Sequence, residues 1–149
     1  MGPTPPAEPE APPPAGLTPD ATGLQPAGSP LRIDFGRAQD GVIAAVTRLL
    51  GSAPASRTRN GECGAGLVTA VRWENGLTLN FLEGDFRGWV VDRPGQPVAG
   101  GFAVGTLPEN VTLEDTTLGQ EFSSGGVHGL VQDGATIDTL WAGTTCFFR

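Results

Sequence analysis

The sequence predicts an α+β domain in which two related helix-plus-β-hairpin units share one antiparallel sheet. Residues 40–50 carry an amphipathic helical pattern, and residues 67–92 alternate apolar and polar side chains around turn residues. A looser copy of the same plan follows over residues 98–149. A helix followed by hairpins, occurring twice, favours helices packed on an antiparallel sheet.

The N-terminal segment differs in composition from the rest of the chain. Ten of the fourteen prolines lie in residues 1–30, which contain no aromatic and no β-branched apolar residue. Such a segment buries too little surface to offset the entropy lost on ordering. We therefore expect a disordered linker over residues 1–30 and a single domain over residues 31–149, with repeat-like halves near 31–93 and 98–149.

Charge and hydropathy exclude two classes of function. The 149 residues carry a formal charge of −7, and all nine basic residues are arginines without a basic run. An acidic chain of this kind lacks the positive surface of a nucleic-acid-binding protein. It also has no apolar stretch near the ~20 residues that span a bilayer. The sequence predicts no nucleic-acid partner, no transmembrane segment and no cofactor.

The two cysteines, Cys63 and Cys146, lie one in each half of the domain. They form either a disulfide or two buried thiols, and the compartment decides between these. A Pro/Ala-rich spacer before a compact domain is typical of an exported or lipid-anchored protein whose signal has been removed. We therefore expect a Cys63–Cys146 disulfide and a periplasmic or extracellular location.

The first unit is predicted to begin with a strand and a helix. Residues 31–35 alternate apolar and polar side chains and predict a strand. Asp40 can cap a helix that runs to Leu50, and Gly51 occupies the position of a left-handed C-terminal residue. The helix would bury an apolar stripe made of Val42, Ile43, Val46, Leu49 and Leu50.

The register of the hairpin that follows can be predicted from its apolar residues. A three-residue loop over 74–76, with Gly76 left-handed, pairs Trp73 with Leu77 and Val71 with Leu79. This register keeps the apolar side chains on one face, as packing against a core requires.

A second turn at Glu83-Gly84 is predicted to pair Phe81 with Phe86 and Leu77 with Val90. This pairing leaves one face of the sheet to solvent, and the candidate binding residues on it are Arg72, Thr78, Asn80, Arg87 and Trp89. A large ring between two guanidinium groups is typical of interface hot spots. The alternative interpretation is that Trp89 is covered and belongs to the core.

The second half repeats these signals with fewer identities. Residues 126–134 align with residues 76–84 at a constant offset of fifty. Thr106 to Glu109 has the pattern of a capping box and predicts a helix that ends near Gly119.

Two stretches carry a resemblance to known proteins. The helix end Leu49-Leu50-Gly51-Ser52-Ala53-Pro54, followed by a Trp-bearing strand and a hairpin ending Leu79-Asn80-Phe81-Leu82-Glu83-Gly84, resembles the repeat of β-lactamase-inhibitor proteins. It is also similar to the related small outer-membrane assembly lipoproteins. The resemblance implies a helical segment packed on an antiparallel sheet, in two tandem units. The inhibitors place cysteines within each repeat, whereas this chain has one in each half.

Catalytic signals are few. His128 is the only imidazole, and a turn at Asp133-Gly134 would place it opposite Thr139 and near Asp138. One histidine and two cysteines far apart in the sequence do not have the number and spacing of ligands that are typical of a zinc site. We therefore expect no metal site and no catalytic residue.

These observations predict a non-catalytic exported module that binds a protein or cell-envelope partner through an exposed sheet face. Two alternatives stay open. One is a small hydrolase that relies on His128, and the other is a small-ligand binder between the two halves.

Overall fold

The computed structural model describes residues 16–63, 66–132 and 136–145, and for residues 62 and 63 it describes the main chain only. Over this part of the chain the fold is mostly β, with one helix. The elements are β1 Leu17–Asp20, β2 Gly23–Pro26, β3 Ile33–Asp34, α1 Gln39–Leu50, β4 Ser56–Cys63, β5 Gly66–Arg72, β6 Leu77–Leu82, β7 Asp85–Val91, β8 Glu114–Thr116, β9 Gly119–Ser124, β10 Val127–Gln132 and β11 Thr136–Gly143.

The strands form two antiparallel sheets. The smaller sheet has the order β1-β2-β3, and the larger has the order β4-β5-β6-β7-β11-β10-β9-β8. Leu24 of the small sheet and Val46 of α1 belong to one core cluster with Trp73 and Trp89 of the large sheet. The small sheet and the helix therefore cover one face of the large sheet, which we call the inner face; the opposite face is the outer face.

The predicted α+β arrangement with two helices is wrong. The expected second helix is absent from the described residues, since residues 107–113 are irregular and residues 114–116 form strand β8. The segment from Val111 to Thr117 contains four β-branched residues, which lose side-chain freedom in a helix. Asn110 also adopts a φ of 60°, which interrupts helical geometry.

Helix α1 confirms the first helix prediction and corrects its start. The N-cap is Ala38, which makes no side-chain cap, and Asp40 lies within the first turn. Gly51 adopts the expected left-handed conformation with a φ of 75°, and its N–H donates to the carbonyl of Thr47. Val42 and Val46 are the buried residues of the helix. No described helix is long and apolar enough to cross a membrane.

The first hairpin has the predicted register. Val71 pairs with Leu79, and the N–H of Trp73 donates a 2.8 Å hydrogen bond to the carbonyl of Leu77. Gly76 closes the loop with a φ of 97°. A side chain at Gly76 would also collide with Arg93, so the turn requires glycine for both reasons.

The strand pairing after the second turn departs from the prediction because strand β7 contains a bulge. Phe81 pairs with Phe86 as expected, but Asn80 pairs with Gly88, which leaves Arg87 as an extra residue. One extra residue moves every later side chain of a strand to the other face. The predicted pairing beyond Phe86 is therefore wrong.

The bulge brings Trp89 onto the inner face. Leu79 pairs with Trp89, and Leu77 pairs with Val91 rather than with Val90. Gly88 contributes to this geometry because a Cβ atom there would lie 2.1 Å from the carbonyl oxygen of Thr144. Only glycine allows the chain after β11 to approach β7 this closely.

The described part of the predicted linker is ordered. Leu17 and Leu24 are buried at 6% and 0% exposure, and the hairpin of β1 and β2 holds them against the core. The Thr22 N–H donates to Asp20 Oδ1 and closes the turn of this hairpin. The linker prediction is therefore wrong for residues 17–26, because two well-spaced leucines and a short turn suffice to anchor the segment. Residues 1–15 lie outside the described residues.

The second half forms a meander like that of the first. Strands β6 and β10 begin fifty residues apart, at Leu77 and Val127, which agrees with the offset in the sequence. Strand β10 pairs with β9 and β11, and β11 pairs with β7. The two meanders thus join side by side into the eight-stranded sheet.

Candidate functional site

A row of side chains crosses the outer face of the large sheet. Cross-strand pairs link each member to the next, from Arg72 to Thr78 and onward to Ser123. Their neighbours along the strands point to the core on the inner face. We call this set the outer row; its members are Arg72, Thr78, Val90, Trp141, His128 and Ser123.

At one end of the row Arg72 is held in a fixed position. Its two terminal nitrogens each lie 3.0 Å from an oxygen of Asp92, which makes a bidentate pair. Its Nη1 also lies 3.4 Å from the hydroxyl of Thr78. The Arg72 side chain is 29% exposed, so the guanidinium group is ordered and still accessible.

At the other end His128 is held by two neighbours. Its Nδ1 shares a 2.6 Å hydrogen bond with the hydroxyl of Ser123. Its ring stacks on Trp141, with centroids 5.8 Å apart and an angle of 27° between the planes. Ser123 is exposed and His128 is half-buried, whereas Trp141 is only 2% exposed.

A polar cleft of about 420 Å³ adjoins Ser123 and His128. Its walls include Glu121, which is 8% exposed, and Thr116, whose hydroxyl donates a 2.6 Å hydrogen bond to Glu121 Oε2. Residues 110–112 close the cleft beside the short edge strand β8. Hydroxyl, carboxylate and imidazole groups therefore line one cleft near the edge of the sheet.

Trp89, the predicted anchor of the binding face, is a core residue. It is 0% exposed, as is Trp73, and its Nε1 donates a 2.7 Å hydrogen bond to the carbonyl of Asp20. The interpretation of Trp89 as covered core is therefore the one that the structure shows. The prediction that it anchors a binding surface is wrong, because the bulge at Arg87 turns the indole inward.

The other predicted binding residues have different positions. Arg72 and Thr78 pair directly across strands β5 and β6. Asn80 is 5% exposed and donates to the carbonyl of Thr144, so it is structural rather than accessible. Arg87 lies in the bulge, where it forms a 3.5 Å ion pair with Asp85.

The structure adds the partly exposed Val90, the exposed Ser123 and the buried Trp141 to the row. His128 lies opposite Trp141 rather than opposite Thr139, because the register shifts between Leu130 and Val131. Few features of the sequence could have indicated these differences from the predicted register. Gly88 within a strand is one, since a glycine there often marks a bulge or a close backbone approach.

The predicted disulfide joins two side chains that lie outside the described part of the structure. Cys146 lies outside the described residues, as does the side chain of Cys63. The Cys63–Cys146 disulfide therefore stays a prediction. Among the described residues, no group of three or more His, Cys, Asp or Glu side chains is arranged to hold a metal ion.

Comparison of the chain with protein-family models, curated proteins and solved structures finds no match. The resemblance to β-lactamase-inhibitor proteins and small outer-membrane assembly lipoproteins stays a prediction.

Proposed function

We propose that this chain is a non-catalytic module that binds a partner protein through the outer row. The observation that carries the proposal is the continuity of the row across six adjacent strands, from Arg72 to Ser123. Arginine is enriched at protein interfaces, and the row has the accessible Arg72 at one end. Near the other end lies the half-buried His128, whose ring stacks on the buried Trp141.

The row is also ordered before any partner binds. Asp92 fixes Arg72, while Ser123 and Trp141 fix His128. Ordering a flexible side chain on binding costs roughly 0.5–1.5 kcal/mol. Side chains that are already held avoid much of this cost, which favours recognition by a rigid surface.

We propose further that the module is exported to the periplasm or the cell exterior, with a lipid anchor as one form of attachment. The Pro/Ala-rich composition of the N-terminal segment and the one cysteine in each half support this location. The partner is then a protein of the cell envelope.

A positive charge added to the outer row tests the proposal. Thr78→Arg places a second cation beside Arg72 at one end of the row, and Thr18→Arg is the matched control on the exposed side of strand β1. A partner is first purified by capture on the immobilised protein, and its dissociation constant is then measured by calorimetry. We expect Thr78→Arg to weaken binding at least tenfold and Thr18→Arg to leave it unchanged. Equal binding by both variants would remove the outer row as the interface.

A second candidate function is hydrolysis, and the Ser123–His128 hydrogen bond favours it. In this reaction Nδ1 of His128 would take the proton of the Ser123 hydroxyl as the oxygen attacks an ester carbonyl. The alcohol would leave with that proton, and water would then release the acid from the acyl-serine. The binding proposal predicts no such turnover.

Comparison of two serine variants distinguishes the binding function from hydrolysis. Ser123 and its exposed neighbour Ser124 are each replaced by alanine, and hydrolysis of p-nitrophenyl acetate is measured beside labelling by a fluorophosphonate. Hydrolysis and labelling that are lost in Ser123→Ala and kept in Ser124→Ala would establish the hydrolase. The binding proposal predicts that the wild-type protein shows neither above background.

A further inference from the structure

Arg57 and Arg59 differ from most arginines of this chain in having no counter-charge. Among the described residues, neither side chain forms a hydrogen bond or ion pair, although the main chain of each pairs with β5. Arg48 is the other arginine whose side chain has no such partner, and it lies in the last turn of α1, where a cation suits the helix dipole. The arginines with a bonded partner are Arg32, Arg37, Arg72, Arg87 and Arg93. In a chain of net charge −7, two adjacent unpaired cations need a separate explanation.

The two arginines lie on the same face of edge strand β4. Arg57 pairs with Val71, and Arg59 pairs with Thr69. Both partners are inner-face positions, since Thr69 in turn pairs with the buried Phe81. Residues two apart on a strand are separated by about 6.8 Å, so both guanidinium groups can reach one small ligand.

A cleft of about 390 Å³ lies in front of these arginines. Gln39 forms its opposite wall, where the Gln39 N–H donates a 2.8 Å hydrogen bond to the carbonyl of Gly84. This bond ties the start of the helix to the β6–β7 turn on that side of the cleft. Glu83 also lines the cleft but makes no ion pair with either arginine.

We propose that this cleft binds an oxyanion, the carboxylate or phosphate group of a small ligand. Arginine presents its donors in a planar fork that matches the oxygens of both groups. The amide of Gln39 and the hydroxyl of Thr69 add neutral donors on the other walls. The site lies on the inner-face side of the sheet, away from the outer row, and is independent of the function proposed above.

The test is an NMR titration of the ¹⁵N-labelled full chain. Inorganic phosphate and succinate are added separately, and sodium chloride at the same ionic strength is the control. We expect phosphate or succinate to shift the amide signals of Gln39, Thr69 and Gly84 with saturation, and chloride to leave them nearly unchanged. The better of the two ligands identifies the source of the oxyanion.

Single-residue variants test whether Arg57 and Arg59 hold the bound oxyanion. Arg57→Gln and Arg59→Gln should each weaken binding about tenfold, as expected for the loss of one charge-assisted contact. Arg48→Gln is the matched control and should bind as the wild type does. Glu83→Gln should strengthen binding, because it removes the carboxylate of the cleft. Shifts that chloride reproduces, or that persist in the Arg57→Gln/Arg59→Gln double variant, would overturn the proposal and leave the arginines as charges that keep the edge strand from pairing.

Discussion

The indole nitrogen of Trp89 donates a 2.7 Å hydrogen bond to the main-chain carbonyl of Asp20. One partner lies in the middle of the large sheet and the other in the turn of the N-terminal hairpin. Gln96 makes a second link of this kind, since its Nε2 donates a 2.9 Å hydrogen bond to the carbonyl of Leu17. The N-terminal hairpin is therefore part of the core, although its composition is that of a linker.

The burial of Trp89 predicts its contribution to stability. Trp89→Ala should lower the free energy of unfolding by about 3–5 kcal/mol, because it leaves a large cavity and an unpaired carbonyl. Trp73→Ala is the matched control, since Trp73 is equally buried and donates to the carbonyl of Ser52. Urea unfolding measures both variants. A loss below 1 kcal/mol for Trp89→Ala, beside a full loss for Trp73→Ala, would contradict the bulge at Arg87.

Truncation tests the role of the N-terminal hairpin. Deletion of residues 1–30 removes Leu17 and Leu24 from the core and uncovers Trp89, so the free energy of unfolding should fall by at least ~3 kcal/mol. Deletion of residues 1–15 removes none of these contacts and should have little effect. Thermal unfolding of the two truncated proteins gives the comparison. Equal midpoints for both would show that the hairpin does not stabilise the domain.

The ion pair between Asp20 and Arg32 predicts a dependence of stability on pH. Burial opposes ionisation of Asp20, but the hydrogen bonds from Arg32 and from the Thr22 N–H outweigh it and hold the pKa of this carboxyl below its ordinary value of 3.8. A carboxyl whose pKa is lower in the folded state stabilises the protein above the unfolded pKa. This stabilisation is lost as the pH falls through the folded pKa.

Asp20→Asn is the variant that isolates this effect, because asparagine keeps the oxygen that accepts from the Thr22 N–H. At pH 6 the variant should be less stable than the wild type by about 1–2 kcal/mol, the value of a partly exposed, charge-assisted pair. The difference should shrink below about pH 4, where the wild-type carboxyl starts to gain its proton. A difference that is constant between pH 6 and pH 3 would exclude the ion pair as its cause.

The cysteines give a prediction from the sequence alone. A Cys63–Cys146 disulfide would close a loop over most of the domain and stabilise it by about 4–5 kcal/mol on the loop-entropy model. Thiol titration in denaturant without reductant should find no free thiol in protein isolated from an oxidising compartment. Two titratable thiols would show that the cysteines are unpaired.

Much of the fold could be predicted where the local signals are strong. The left-handed Gly51 ended the helix as expected, and the loop at Gly76 set the register of the first hairpin. The prediction failed after Phe86, where Arg87 is an extra residue in β7 and Gly88 lies against Thr144, a residue distant in the sequence. Strand β4 pairs with β5 through its backbone, which its polar side chains do not reveal.

The candidate site was predictable only in part, for the same reason. Arg72 and Thr78 lie on strands β5 and β6, whose predicted register is the observed one, and they pair with each other. Trp89 lies after the bulge and moved to the core. The contact of His128 with Trp141 joins two strands whose register shifts between Leu130 and Val131, so it required the three-dimensional structure.

Site-specific photo-cross-linking tests the central claim, that the outer row is the binding surface. p-Benzoylphenylalanine is placed at Val90 of the row or, as the control, at Thr18 of strand β1, in cells that produce the protein. The account predicts one cross-linked partner protein from Val90, none from Thr18, and loss of the Val90 product when Thr78→Arg is added. Cross-linking from Thr18 alone, or a Val90 product that Thr78→Arg leaves unchanged, would contradict it.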